Sequence, residues 1–189
     1  MTELNHLCVA IIAMDGFEES ELVLPMNALK AKGAQVDVLA PKPEIQGFNG
    51  MTRADAILAH RLIENAQASD YDALVLPGGA LSTDYLRSDP FVLEFVKQIQ
   101  AQAKPIAAID HAAWILVSTG LVRGRKLTAF HSLRDDIRNA GGEWLNEEVV
   151  LDRNWVTSRN AEDLVAFNRE MIALFSRSTP SVIQVAESA

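Results

Sequence analysis

The sequence predicts one α/β domain with a mainly parallel sheet between helical layers, and three observations carry that prediction. Short apolar runs alternate along the chain with amphipathic stretches of helical period. Several of these runs end in glycine, proline or an acid, where a strand would hand over to a helix. At 189 residues and 49% hydrophobic content, the chain can bury one sizeable core.

Residues 8–13 form the first predicted strand, residues 19–32 the first helix, closed by Gly33, and residues 35–40 the second strand. The pattern weakens from 41 to 68, where residues 45–51 and 54–63 fit a peripheral hairpin, or a hairpin followed by a helix. Residues 72–76 read as a buried strand running into Pro77-Gly78-Gly79. Pro90 opens a helix through Gln102, and Pro105 restarts the sheet with residues 106–109. A helix over 112–121, a further strand over 126–130 and a helix over 132–140 follow. Residues 148–151 and 155–158 form a second hairpin turning at Asp152-Arg153-Asn154, and residues 161–176 a terminal amphipathic helix. The domain is thus placed at 1–176, with 177–189 a tail or a linker to a fusion partner beyond residue 189. This order implies a flavodoxin-like, doubly wound arrangement, in which ligands bind beyond the C-terminal ends of the strands.

A net charge of -8 argues against nucleic acid or an anionic membrane surface as partner and favours a small-molecule ligand. The stretch 1–7 carries Glu3, Asn5 and His6 and does not read as a signal peptide, so a cytoplasmic protein is expected. Cys8, the only cysteine, excludes an internal disulfide framework and a cysteine-rich zinc site, and is placed as a core thiol in the first strand. No dinucleotide fingerprint or Walker sequence is present, so no cofactor is expected.

The most informative stretch is Ile106-Ala107-Ala108-Ile109-Asp110-His111-Ala112-Ala113-Trp114. Four apolar strand residues lead into a helix, and only Asp110 and His111 are left to make the bend. Such a strand-to-helix corner resembles a nucleophile elbow, which projects one side chain beside backbone N–H groups able to stabilise an oxyanion. Ala108 and Ala112 supply the small neighbours it needs. A plain helix N-cap is the local alternative, since aspartate is a favoured cap.

This elbow, the strand and loop Asp72-Ala73-Leu74-Val75-Leu76-Pro77-Gly78-Gly79, the turn Asp15-Gly16-Phe17-Glu18-Glu19 and the segments 147–152 and 154–159 closely resemble the ThiJ/PfpI superfamily, in its intracellular-protease-like branch. The resemblance covers roughly residues 7–174 in family order and implies a class I glutamine amidotransferase-like fold. In that family the elbow apex is a cysteine followed by histidine, and an acid in the first loop hydrogen-bonds the cysteine. By motif, Asp110 takes the cysteine's place, His111 is the family histidine and Glu18 the first-loop acid. The resemblance further implies an oxyanion hole from the backbone of Gly79 and His111, and an acid, Asp84, lent by a neighbouring subunit to orient the histidine. A homodimer or larger homo-oligomer is therefore expected. Three positions depart from the pattern: Asp110 for cysteine, Ala112-Ala113 for Gly-Pro, and His131 where proline commonly precedes Ser132.

Family members are described as proteases, glyoxalases, deglycases and stress proteins, all relying on the thiolate. Asp110 cannot form the thioester or hemithioacetal intermediates. Three roles stay open: a binding or sensing protein without cysteine chemistry, an Asp/His-dependent hydrolase or hydratase, and an imitation of an oxidised, sulfinate cysteine. If Glu18 lies within hydrogen-bond reach of Asp110, the two carboxylates share a proton and one titrates high.

Glu19 and Glu21 read as solvated charges at the helix start. Gly78, Ala112 and His131 are candidates to line the pocket, whereas His6 and His60 belong to no constellation. Asp110, His111, Glu18 and His131 have no ligand spacing that supports a metal. Trp114, Trp144 and Trp155 read as core or interface anchors. A phospho-receiver reading is set aside, because the elbow histidine and the family motifs point elsewhere.

Overall fold

A computed structural model describes residues 3–177, so the predicted tail lies outside the described residues apart from Arg177. The chain runs β1 (Cys8–Ile12), β2 (Phe17–Glu18), α1 (Glu19–Lys30), β3 (Gln35–Ala40), β4 (Glu44–Asn49), β5 (Thr52–Leu58), β6 (Arg61–Leu62) and β7 (Ala73–Leu76). It continues through α2 (Ala80–Leu86), α3 (Pro90–Ala101), β8 (Ile106–Ile109), α4 (Ala113–Ser118), β9 (Lys126–Leu127) and α5 (Arg134–Asn139). Last come β10 (Glu143–Trp144), β11 (Val149–Asp152), β12 (Trp155–Ser158) and α6 (Leu164–Phe175).

Seven strands form the main sheet in the order β11-β12-β8-β7-β1-β3-β6, parallel except for the β11–β12 hairpin at one edge. Alternation along each strand divides the core. Val9 and Ile11 face the layer of α1 and α6 with Leu22, Leu29, Phe167 and Met171, whereas Ala10 and Ile12 face Val96, Ile99, Ile115 and Ile137 from α3, α4 and α5. Both faces of the parallel strands are covered, which is why these strands read as continuous apolar runs. Among the described residues no helix is long and apolar enough to cross a membrane.

The peripheral hairpin is β4–β5, and β2 joins it as a short parallel strand. Residues 61–62, placed by sequence inside the hairpin, instead pair with β3 as the edge strand β6. The strand expected over 126–130 shrinks to β9, paired only with β10 in a separate two-stranded ribbon. The reason is edge availability: β12 already pairs with β8, and the Thr128 N–H bonds the Thr157 hydroxyl instead of a sheet carbonyl.

Arg125 ties this corner together. Only 4% exposed, it bonds Asp152 and Asn154 at the β11–β12 turn, and its guanidinium lies 3.8 Å from the centre of the Trp155 ring. Cys8 is partly buried, and burial together with Asp37 and Asp72 raises its thiol to about 11, the state of an inert thiol.

Candidate active site

The sheet order reverses between β7 and β1, and the loops that follow these strands and β8 meet at their C-terminal ends. Asp110 stands at the end of β8 with φ +60, a left-handed conformation that aspartate tolerates better than most residues. The helix that follows is capped by Ala112 without a side-chain bond. Asp110 is therefore the apex of an elbow and not an N-cap, and its carbonyl accepts the Phe130 N–H at 3.3 Å.

Asp110 is buried, its side chain only 10% exposed. Its Oδ2 accepts the Gly79 N–H at 3.0 Å and lies 2.7 Å from His111 Nδ1. The Gly79 N–H, expected to stabilise an oxyanion, thus already holds an anionic oxygen of the protein. Gly79 has φ +97, and a Cβ there would meet the backbone of Gly16, Phe17 and Glu18, so the approach requires glycine.

The acid beside Asp110 is Glu21, a correction to the expected pairing with Glu18. Glu18 closes β2 just before α1 begins, and its carboxylate turns outward to accept from the Gly50 N–H at 3.0 Å and the Ser20 hydroxyl at 3.5 Å. Glu21 is not a solvated charge at the helix start. It sits at 2% exposure in line with Pro25 and Leu29, on the face that α1 buries, and its Oε2 accepts the Gly78 N–H at 3.1 Å. A Cβ on Gly78 would collide with Glu21 Oε2 and stand 2.5 Å from Asp110 Oδ2, so the two acids converge over a glycine. Burial first, then the charge of Asp110 and that of Glu18, raises the Glu21 carboxyl to about 9. It is a neutral acid at neutral pH.

His111 is held between rings, stacked on Phe130 at 4.7 Å and edge-on to Trp114 at 5.2 Å. His131 packs on the Phe130 ring at 4.3 Å and does not line the cavity. Ala112 is fully buried behind the elbow and does not line it either, while Gly78 contributes through its N–H alone. Asp84 is exposed on α2 and does not border the cavity within this chain.

The cavity over Asp110 has a volume of about 430 Å³. Asp110, His111, Glu18, Glu21 and Gly79 border it, with Phe48, Met51, Ala80, Leu81 and Ala161 supplying apolar wall. Sequence reading missed these wall residues, because they come from the β4–β5 hairpin, α2 and the turn after β12, segments without chemical motifs of their own. Glu21 did carry a signal, its helical spacing with the buried Pro25 and Leu29. Among the described residues no group of three or more metal-binding side chains is arranged around an ion.

The model of the DJ-1/PfpI family matches residues 8–174. "Deglycase TK1284" of Thermococcus kodakarensis is 38% identical over 167 residues, covering 88% of this chain and 98% of that protein. "General stress protein 18" of Bacillus subtilis is 35% identical over 170 residues, covering 89% and 98%. Among solved structures, a two-domain protein from Anabaena variabilis with DJ-1/ThiJ/PfpI-like and ferritin-like domains superposes with a TM-score of 0.83 at 33% identity. That likeness covers 88% of this chain, which spans 47% of the longer Anabaena protein. With its doubly wound sheet and elbow, the chain belongs to the DJ-1/PfpI family.

Proposed function

We propose that this chain is a stress-related, ligand-binding or sensing member of its family that runs no cysteine-dependent protease, glyoxalase or deglycase chemistry. One observation carries the reading: Asp110 Oδ2 sits 3.0 Å from the Gly79 N–H and 2.7 Å from His111 Nδ1. A carboxylate so held is a weak nucleophile, and it fills a donor that an acyl-transfer intermediate would need. The same contacts suit the imitation of an oxidised cysteine, because a sulfinate also offers acceptor oxygens and a negative charge. The test is an assay of the purified protein on methylglyoxal-modified amines and on peptides, beside Asp110→Ala. No turnover above that variant is expected, and turnover that Asp110→Ala abolishes would overturn the reading. Asp110→Cys is expected to gain family-type activity or peroxide sensitivity.

A second reading rests on the Asp110–His111 pair bordering a cavity, an arrangement in which a carboxylate orients an imidazole as general base toward a water. It predicts a small-molecule hydrolase or hydratase activity lost in both Asp110→Asn and His111→Ala. Equal rates in wild type and both variants would remove it. For assembly, we place Asp84 in a homo-oligomer as the acid offered to the His111 of a second copy, supported by its exposure on α2 next to the half-exposed Tyr85. Light scattering is expected to report a dimer or larger, and a monomer at micromolar concentration would refute that assembly.

A further inference from the structure

The geometry points to a cationic ligand, a small amine or amidine with an apolar body, as the occupant of the elbow cavity. This inference rests on the binding role proposed above and names the chemistry of its ligand. Asp110 and Glu21, at 7% and 2% exposure, are each pinned by one oxygen only, to the successive N–H groups of Gly79 and Gly78. Their other oxygens, Asp110 Oδ1 and Glu21 Oε1, take no hydrogen bond among the described residues. Neither oxygen is sealed in the interior, and both side chains border the cavity. Glu18 adds a third carboxyl at the border, and no lysine or arginine is among the described residues lining it.

An anionic head group entering this space would face Asp110 and Glu18 without a cation to offset them. A neutral carbonyl would find the Gly79 N–H already engaged. An ammonium or amidinium instead supplies donors to the open Asp110 Oδ1, a charge-assisted arrangement stronger than a neutral one, while the protonated Glu21 stays a neutral polar neighbour. Phe48, Met51, Leu81 and Ala161 offer apolar and aromatic wall to the rest of the ligand, and a cation next to Phe48 gains from the ring face as well.

Three probes of nearly one shape and different charge test this: benzamidine, benzamide and benzoate, titrated calorimetrically into the full chain at pH 7. Benzamidine is expected to bind on the order of tenfold or more tighter than either relative. Asp110→Asn is expected to weaken it by a similar factor, with folding checked by circular dichroism. Leu81→Trp, at a side chain 74% exposed, narrows the entrance without touching the core and keeps the test open if the Asp110 variant fails to fold. Benzamide or benzoate binding as tightly as benzamidine would overturn the inference. So would selective benzamidine binding that Leu81→Trp leaves unchanged, or no binding of any probe up to about 10 mM. Failure of the broader reading is a different signal, turnover of modified amines or peptides lost in Asp110→Ala.

Discussion

Replacing Glu21 by glutamine isolates the energetic consequence of burying an acid beside another acid. In the folded chain Glu21 holds its proton up to about 9, raised by burial and then by Asp110 and Glu18, whereas in the unfolded chain it ionises near the ordinary value of 4.5. Between those two values the folded state binds the extra proton, so folding stability falls as pH rises. The contribution is intact below the unfolded value and is lost progressively as pH climbs toward 9. Each pH unit inside the window is worth about 1.4 kcal/mol, so from pH 5 to pH 8 wild type loses roughly 4 kcal/mol at this one site. Glutamine keeps the shape and an oxygen for the Gly78 N–H but has no proton to lose.

Urea unfolding of wild type and Glu21→Gln at several pH values between 5 and 8, followed by circular dichroism, reads the difference directly. Other carboxylates titrate in both proteins and cancel in the comparison. The variant is expected to gain on wild type steadily as pH rises, overtaking it toward pH 8. A stability difference that stays constant from pH 5 to pH 8 would mean that Glu21 ionises as an exposed acid does, and would refute the buried, neutral assignment.

Asp110→Ala is expected to cost about 2 kcal/mol, because it strips the Gly79 N–H of its acceptor and leaves alanine in a left-handed conformation. Asp110→Asn keeps an oxygen and tolerates that backbone, so equal losses in urea unfolding would contradict the role given to the Gly79 contact. Gly78→Ala places a methyl on both acids, and its circular dichroism should be that of an unfolded or loosened chain; wild-type stability would show that the acids do not converge there. Arg125→Met leaves Asp152 without its buried partner and is expected to cost about 3 kcal/mol. A loss below about 1 kcal/mol in urea unfolding would reduce that network to a surface contact.

The parallel core was legible because its strands are buried on both faces: Val9 to Ile12, Ala73 to Leu76 and Ile106 to Ile109 are uninterrupted apolar runs with helices between them. The elbow was legible for the related reason that Asp110 and His111 interrupt apolar sequence where the chain must turn. What stayed hidden depends on direction and on competition. Glu18 and Glu21 stand three residues apart at the start of one helix, and only the phase set by Pro25 and Leu29 tells which of them points inward. His131 follows a strand as an elbow residue would, yet the ring of Phe130 takes the place against His111. Residues 126–130 have strand composition, but β12, the strand that Thr128 meets, is already paired on both sides. Such outcomes are settled by which partner arrives at a shared surface, which no single segment encodes.

An aspartate at this corner raises a problem that the surrounding structure resolves. A left-handed non-glycine residue costs roughly 1 kcal/mol, and a carboxylate with little access to water costs several more unless it is hydrogen-bonded. The Gly79 N–H and the His111 ring meet the second cost, and the short side chain of aspartate limits the first. The remaining conflict is with Glu21, since two buried carboxylates over one glycine cannot both be charged cheaply. The protein settles it by keeping Glu21 protonated, so that the two carboxyls are not charged together at neutral pH. A cysteine at the apex would lift that constraint, because a thiol can be neutral beside the same acid. Glu21 is therefore the residue through which the elbow records its occupant. Its proton should become easier to remove in Asp110→Ala, where the neighbouring charge is gone, and a carboxyl titration followed by infrared spectroscopy should report the downward move. An unchanged titration would mean that burial and Glu18 hold the proton and that Asp110 has no electrostatic hold on its neighbour.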